Sequence, residues 1–168
     1  MTIYLIGPSG VGKSHCARYA ATVLKAEHRE LDELCAGHQF NWTVCNKALD
    51  EIEREARTNQ AFHIIDIGAG TQCLPELQQY LESRHQRVVL IYAPPPEVIR
   101  RNPMPTRSSE EYEQTEFKTR ERLYSTADHI VDVSGNSPDD AKARLAGFIG
   151  TSFGVPVRRG QGPGLTVQ

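Results

Sequence analysis

Several features that would settle a protein's class are missing from this chain. Its four cysteines, Cys16, Cys35, Cys45 and Cys73, are scattered, with no Cys-x-x-Cys pair among them. That argues against a zinc ribbon or a disulfide framework and leaves buried or half-buried free thiols, as expected in a reducing cytoplasm. No apolar run approaches the roughly 20 residues that a membrane-spanning helix needs. No signal peptide is expected either, because the chain enters an apolar strand at once and then a glycine turn. A basic surplus is also lacking: 19 Lys and Arg stand against 21 Asp and Glu, a formal net charge of -2. A dedicated nucleic-acid binder carries such a surplus, so a polynucleotide partner is disfavoured, although a local basic site is still allowed. There is no internal repeat and no Asn-Lys-x-Asp stretch of the kind that reads guanine.

What is present fits one domain of ordinary size. The 168 residues are 39% hydrophobic and 24% charged, a globular composition with enough chain to bury a core. Apolar runs at residues 3–6, 62–67, 88–93 and 130–133 read as buried strands, with a short strand near 29–31. Helical spacing appears over 14–27, 43–57, 75–84, 110–126 and 138–149. Strand and helix alternate, so the expected fold class is α/β with a parallel sheet and helices on both faces. Residues 1–149 form the expected domain, with a small lid at about 102–112. Residues 150–168, with five glycines and two prolines, read as a tail.

The segment Gly7-Pro8-Ser9-Gly10-Val11-Gly12-Lys13-Ser14 satisfies G-x-x-x-x-G-K-[ST], with a strand before it and a helix after it. Glycines let the backbone curl so that successive N–H groups surround an anion, and the helix start adds its positive end. Lys13, expected on a solvent-facing loop, can reach the outer phosphates, and the Ser14 hydroxyl can hold magnesium. His15 adjoins this nucleotide-binding set. ATP and Mg2+ are therefore the expected cofactors, in a P-loop NTPase too small to carry a coupled mechanical domain.

A second acidic site should flank the γ-phosphate. Two candidates close predicted strands, where open α/β sheets bind ligands. In Glu30-Leu31-Asp32 the spacing of two puts both carboxylates on one side of an extended segment, one toward metal-bound water and one toward an acceptor hydroxyl. The alternative is a pair of solvated loop charges or a helix cap. Asp66 closes a buried strand, a costly place for a carboxylate unless it is used; the alternative is a cap to the glycine turn that follows. Trp42 could floor an acceptor pocket beside Phe40, but a packing role is favoured. The other histidines show no metal-ligand spacing, and none is given a role.

The order of these motifs resembles shikimate kinase over most of residues 3–150. Besides the P-loop, Glu30-Leu31-Asp32 lies where that family has Asp-x-Asp, and Gly68-Ala69-Gly70 where it has a triple glycine. Pro96 to Arg101 is similar to the helix before its lid, Arg120-Glu121-Arg122-Leu123-Tyr124 to its Arg-x-x-Leu-Tyr, and Val131 to Pro138 to its adenine-side loop. The resemblance implies that Arg101 and Pro138 sandwich adenine and that Arg107 closes over the phosphates. It implies that Asp32 holds the acceptor hydroxyl and acts as base, while Ser14, Glu30 and Asp66 hold magnesium. Lys47, Gly68, Ala69, Gly70 and Arg120 would line the acceptor. Glu30 in place of Asp, Ala69 in place of Gly and Lys47 in place of Arg depart from the family pattern. A lysine binds a carboxylate as a point charge, without the bidentate fork of arginine.

The expectation is thus a kinase that moves the γ-phosphate of ATP to a hydroxyl of a small, anionic molecule, acting as a monomer or weak dimer without membrane attachment. Two other readings stay open. One is a nucleoside, nucleotide or modified-base DNA kinase. The other is a non-catalytic ATP-binding regulator, for which Asp32 would face solvent rather than a cavity.

Overall fold

The computed structural model describes residues 1–37, 39–101 and 108–156. Arg107, most of the expected lid and most of the tail lie outside the described residues. In chain order the elements are β1 (Thr2–Ile6), α1 (Lys13–Leu24), β2 (Glu27–Glu30), α2 (Leu31–Ala36), α3 (Trp42–Thr58), β3 (His63–Asp66), α4 (Pro75–Glu82), β4 (Val88–Tyr92), α5 (Pro95–Arg101), α6 (Ser109–Glu116), α7 (Glu121–Tyr124), β5 (His129–Asp132) and α8 (Pro138–Ser152). Among the described residues no helix is long and apolar enough to cross a membrane.

The five strands form one parallel sheet in the order β2-β3-β1-β4-β5. Its faces are sorted by the alternation of the strands. Ile3, Leu5, Ile64, Val89 and Ile91 pack with Ala17 and Ala20 of α1 and with Leu145 and Ile149 of α8. Tyr4, Ile6, Ile65 and Leu90 pack on the other side with Leu49 and Ile52 of α3 and Leu77 and Leu81 of α4. Burial on both faces is why these strands read as continuous apolar runs. From the central β1 the chain moves to β2 on one side and later to β4 on the other. The crevice at that switch point, beyond the strands' carboxyl ends, is where such sheets bind ligands.

Four details differ from the sequence reading. Residues 30–32 are not one extended segment: Glu30 ends β2, and Asp32 lies in the first turn of α2, where its charge suits the helix dipole. The stretch 110–126 is α6, a 3-10 turn at Lys118–Arg120, and α7. It bends at Phe117, whose ring meets Tyr92, Tyr112 and Tyr124 edge-on at 6.2, 6.1 and 6.3 Å. The helix expected from Pro96 to Arg101 starts one residue earlier: α5 begins at Pro95, because a helix start tolerates a missing N–H. Finally, α8 continues to Ser152, and Phe153 and Val155 pack against the core, so the body extends past residue 149.

Candidate active site

Gly7 leaves β1 at a φ of 148°, and a Cβ there would run into the carbonyl of Ile91. Only glycine fits. Gly10 and Gly12 also have positive φ, 82° and 97°, which curls the loop before α1. The first turn of α1 has no acidic residue and no side-chain cap, so its backbone donors stay available to an anion. By contrast Asn41, Ser108 and Ser137 cap α3, α6 and α8. Lys13 is not solvent-facing as the sequence reading had it. It is buried, and its Nζ donates to the carbonyls of Gly7 at 3.0 Å and Pro8 at 3.4 Å. Burial holds its ammonium below the ordinary lysine range, while the charge of Asp66 works against that.

Behind the loop stand the acids. Asp66 closes β3 almost fully buried, and its Oδ2 accepts a short hydrogen bond from the Ser14 hydroxyl. Its Oδ1 is buried without a partner. Burial raises the Asp66 carboxyl above the ordinary range, opposed by Lys13 and Ser14. Glu30 lies beside Asp66 in the parallel register and is paired with Arg18 at 2.8 Å. An orphaned carboxylate oxygen, a hydroxyl and a second carboxylate are the donor types that hard divalent cations select, so Ser14, Glu30 and Asp66 fit a magnesium ion.

Asp32 braces the turn that follows β3. Its Oδ2 accepts from Gly70 N at 2.9 Å, and its Oδ1 from Thr71 N at 3.1 Å and Thr71 Oγ1 at 2.5 Å. The glycines of that turn answer to this packing. A Cβ on Gly68 would come 2.5 Å from the Asp32 carboxylate, and one on Gly70 2.5 Å from the ring of Phe40. Gln72, which sequence reasoning passed over, ties the turn to the P-loop. Its Nε2 donates to Gly7 O at 3.1 Å and Ile67 O at 2.8 Å.

The arginines are held by carbonyls and carboxylates. Arg101 pairs closely with Glu97 and donates to Val133 O at 2.9 Å and Asn136 O at 3.0 Å. Arg120 is buried, paired with Glu116 at 2.5 Å and 3.4 Å from Ala69 O. Glu116 and Tyr112 were also missed: Glu116 Oε2 accepts from Ser9 N at 2.9 Å, and Tyr112 donates to Ser9 O at 2.5 Å. The two cations expected near an anionic acceptor, Arg120 and Lys47, are placed differently. Arg120 already has Glu116, and Lys47 is exposed on α3, away from the cleft. Trp42 packs edge-on against Tyr80 at 5.8 Å in the α3–α4 core. Of the cysteines, Cys16, Cys35 and Cys45 are buried, and Cys73 is exposed.

One cleft of about 790 Å³ gathers most of these groups. It is lined by Ser9, Gly10, Val11, Gly12, Lys13, Ser14 and His15 of the P-loop and α1, by Glu30, Asp32, Asp66, Gly68 and Ala69, and by Arg101 and Pro138. Gly7, Pro8, Gly70, Lys47 and Arg120 are not among the residues that line it. Cys16, Arg100, Asn136 and Ala141 line it without having been foreseen.

A search of curated protein sequences returns no match. Solved structures do match. Shikimate kinase from Aquifex aeolicus is 23% identical, with a TM-score of 0.63 over 92% of this chain and 99% of that one. The enzyme from Acinetobacter baumannii, solved in complex with shikimate, is 20% identical, with a TM-score of 0.58 over 89% and 93%. A Deinococcus radiodurans tunicamycin resistance protein shares the fold at 16% identity, with a TM-score of 0.65 over 94% and 98%. The shikimate kinase family model matches residues 9–147, from within the P-loop to the last helix. The chain therefore belongs to the shikimate kinase family and is a P-loop phosphotransferase that acts on a hydroxyl group.

Proposed function

We propose that this chain moves the γ-phosphate of ATP, with Mg2+, to a hydroxyl of a small polyhydroxylated molecule. The observation that carries this reading is the place of Asp32, whose carboxylate lines the same cleft as Lys13 and Ser14. Bracing the turn occupies only part of that carboxylate, and the cleft leaves the rest of it open to an acceptor, as a kinase requires.

An ionised carboxylate offers about four lone-pair sites. Three are taken by Gly70 and Thr71, two on Oδ1 and one on Oδ2. The remaining site on Oδ2 can accept a hydrogen bond from the acceptor hydroxyl and then its proton, and the three existing bonds fix its aim. The open N–H groups at the start of α1 hold the phosphates, and Lys13 exchanges its carbonyl partners for phosphate oxygens. Ser14, Glu30 and Asp66 would hold Mg2+, which when bound neutralises phosphate charge. Arg101 and Pro138 offer faces to adenine, and Arg107 is retained as the lid arginine. Positioning and electrostatics of this kind supply most of the catalysis in phosphoryl transfer. The acceptor is assigned by its hydroxyl. Arg120 meets Glu116 through Nη1 alone, and a guanidinium carries five N–H donors, so a carboxylate on the acceptor can share Arg120 with Glu116.

The test uses Asp32→Asn with a panel of hydroxy acids and their neutral counterparts. Transfer should fall by at least about a hundredfold, as expected when a general base is removed, while calorimetry shows ATP binding within a few-fold of wild type. A variant that keeps most of its turnover would sink the assignment. So would a wild-type chain that hydrolyses ATP but phosphorylates nothing in the panel.

A further inference from the structure

His28 precedes Glu30 by two residues on β2, and residues two apart on a strand share a face. In the parallel register His28 sits beside Ile64 and Glu30 beside Asp66. Ser14 and Arg18 of α1 reach Asp66 and Glu30 from above, so this is the face turned toward the P-loop. A ligand atom from each of His28, Glu30 and Asp66 lies within 4.8 Å of the other two.

Their bonding is incomplete in a particular way. His28 Nε2 and Asp66 Oδ1 are both buried, and neither has a hydrogen-bond partner. Asp66 as a whole is only 3% exposed. Both hydrogen bonds from Arg18 end on Glu30 Oε1, and the Arg18 side chain is 64% exposed, so it constrains Glu30 weakly. Buried polar atoms left unpartnered are costly, and here a nitrogen and an oxygen are left so at one point. On the opposite face of β2, Glu27, Glu55 and His63 also gather, and the His63 nitrogens are unpartnered, but there Arg29 supplies both carboxylates with a counter-charge.

An oxygen-only set suits Mg2+, which prefers hard ligands and keeps much of its water. Adding an imidazole moves the preference toward first-row transition ions. We infer that the divalent ion of this cleft takes a nitrogen ligand from His28 beside the carboxylates of Glu30 and Asp66, so that the site prefers first-row divalent ions such as Mn2+ to Mg2+. The inference rests on the reading of the cleft as a nucleotide and metal site. It adds a ligand and a metal preference to that reading.

The probe is Mn2+ alone, titrated into the full chain labelled with 15N-histidine and followed by electron paramagnetic resonance with detection of nitrogen coupling. Wild type should bind Mn2+ with a resolved 15N coupling. His28→Gln should lose the coupling and bind Mn2+ about tenfold or more weakly, with the Mg2+ affinity obtained from competition little changed, so that Mg2+ displaces Mn2+ more readily than in wild type. His28→Asn and a thermal melt of each variant show whether a loss comes from misfolding. Absence of 15N coupling in the wild type, or failure to bind Mn2+, overturns the inference. So does coupling that survives in His28→Gln, which would place the nitrogen on another histidine such as His15. No nucleotide or acceptor is present, so a chain that transfers phosphate to nothing yet shows the coupling refutes the kinase reading and leaves this inference standing.

Discussion

Lys13 is only 8% exposed, and its ammonium turns back onto two carbonyls of its own loop at 3.0 and 3.4 Å. Neutral carbonyls are weaker partners for a buried cation than ionised oxygens. A phosphate entering the cleft offers the better partner, so the lysine is held in reserve by groups it can leave cheaply. Lys13→Met keeps the length of the side chain and removes the charge. Transfer should fall by at least about a hundredfold, the scale seen when one charge-stabilising donor is lost. The melting temperature should hold or rise slightly, because burying an ammonium costs free energy that a thioether does not. Paired turnover and melting measurements check this, and near-wild-type turnover would remove Lys13 from the mechanism. The role proposed for this residue comes from the motif. Its burial was not legible there, because a motif specifies the partners of a side chain when ligand is bound and says nothing of where it rests without one.

At the scale of an element, the turn at 68–71 is shaped by contacts from α2 and the loop after it. Gly70→Ala would bring a methyl carbon 2.5 Å from the Phe40 ring, a closeness that forces the ring or the turn to move. Overpacking of this kind costs about 1–3 kcal/mol, and the turn carries all three hydrogen bonds that aim Asp32. Gly70→Ala should therefore lower both stability and turnover. Combining it with Phe40→Leu should recover more than about 0.5 kcal/mol beyond additivity, measured by chemical denaturation. Strict additivity would mean that ring and turn do not press on each other. The strands were readable because burial on both faces leaves uninterrupted apolar runs such as Val88–Tyr92. α2 was not, since its six residues bury only Leu31 and Cys35, too few to show a helical period. Gln72 and His28 carry no pattern at all. What makes them matter is which backbone or carboxylate the fold sets against them.

Across the whole molecule, α6 is tied to two parts of the cleft, the P-loop and the turn after β3. Tyr112 and Glu116 take the carbonyl and the N–H of Ser9, at 2.5 and 2.9 Å. Through Arg120, Glu116 also reaches the turn at Ala69. The peptide of Ser9 is thus clamped on both sides from one helix, so a movement of α6 must carry the P-loop apex with it. Tyr112→Phe keeps the ring packed on Phe117 and deletes one hydrogen bond. It should cost about 1 kcal/mol of stability and weaken ATP binding a few-fold, because the loop is then less well ordered before nucleotide arrives. Glu116→Gln leaves an acceptor for Ser9 N but strips Arg120 of its carboxylate while Arg120 stays buried, and that should cost about 3–5 kcal/mol. Calorimetry with ATP alongside denaturant melts separates the two effects. If Tyr112→Phe loses stability with nucleotide affinity untouched, the contact merely holds the fold together. If affinity falls as well, α6 sets the resting shape of the P-loop and so the readiness of the cleft to receive ATP.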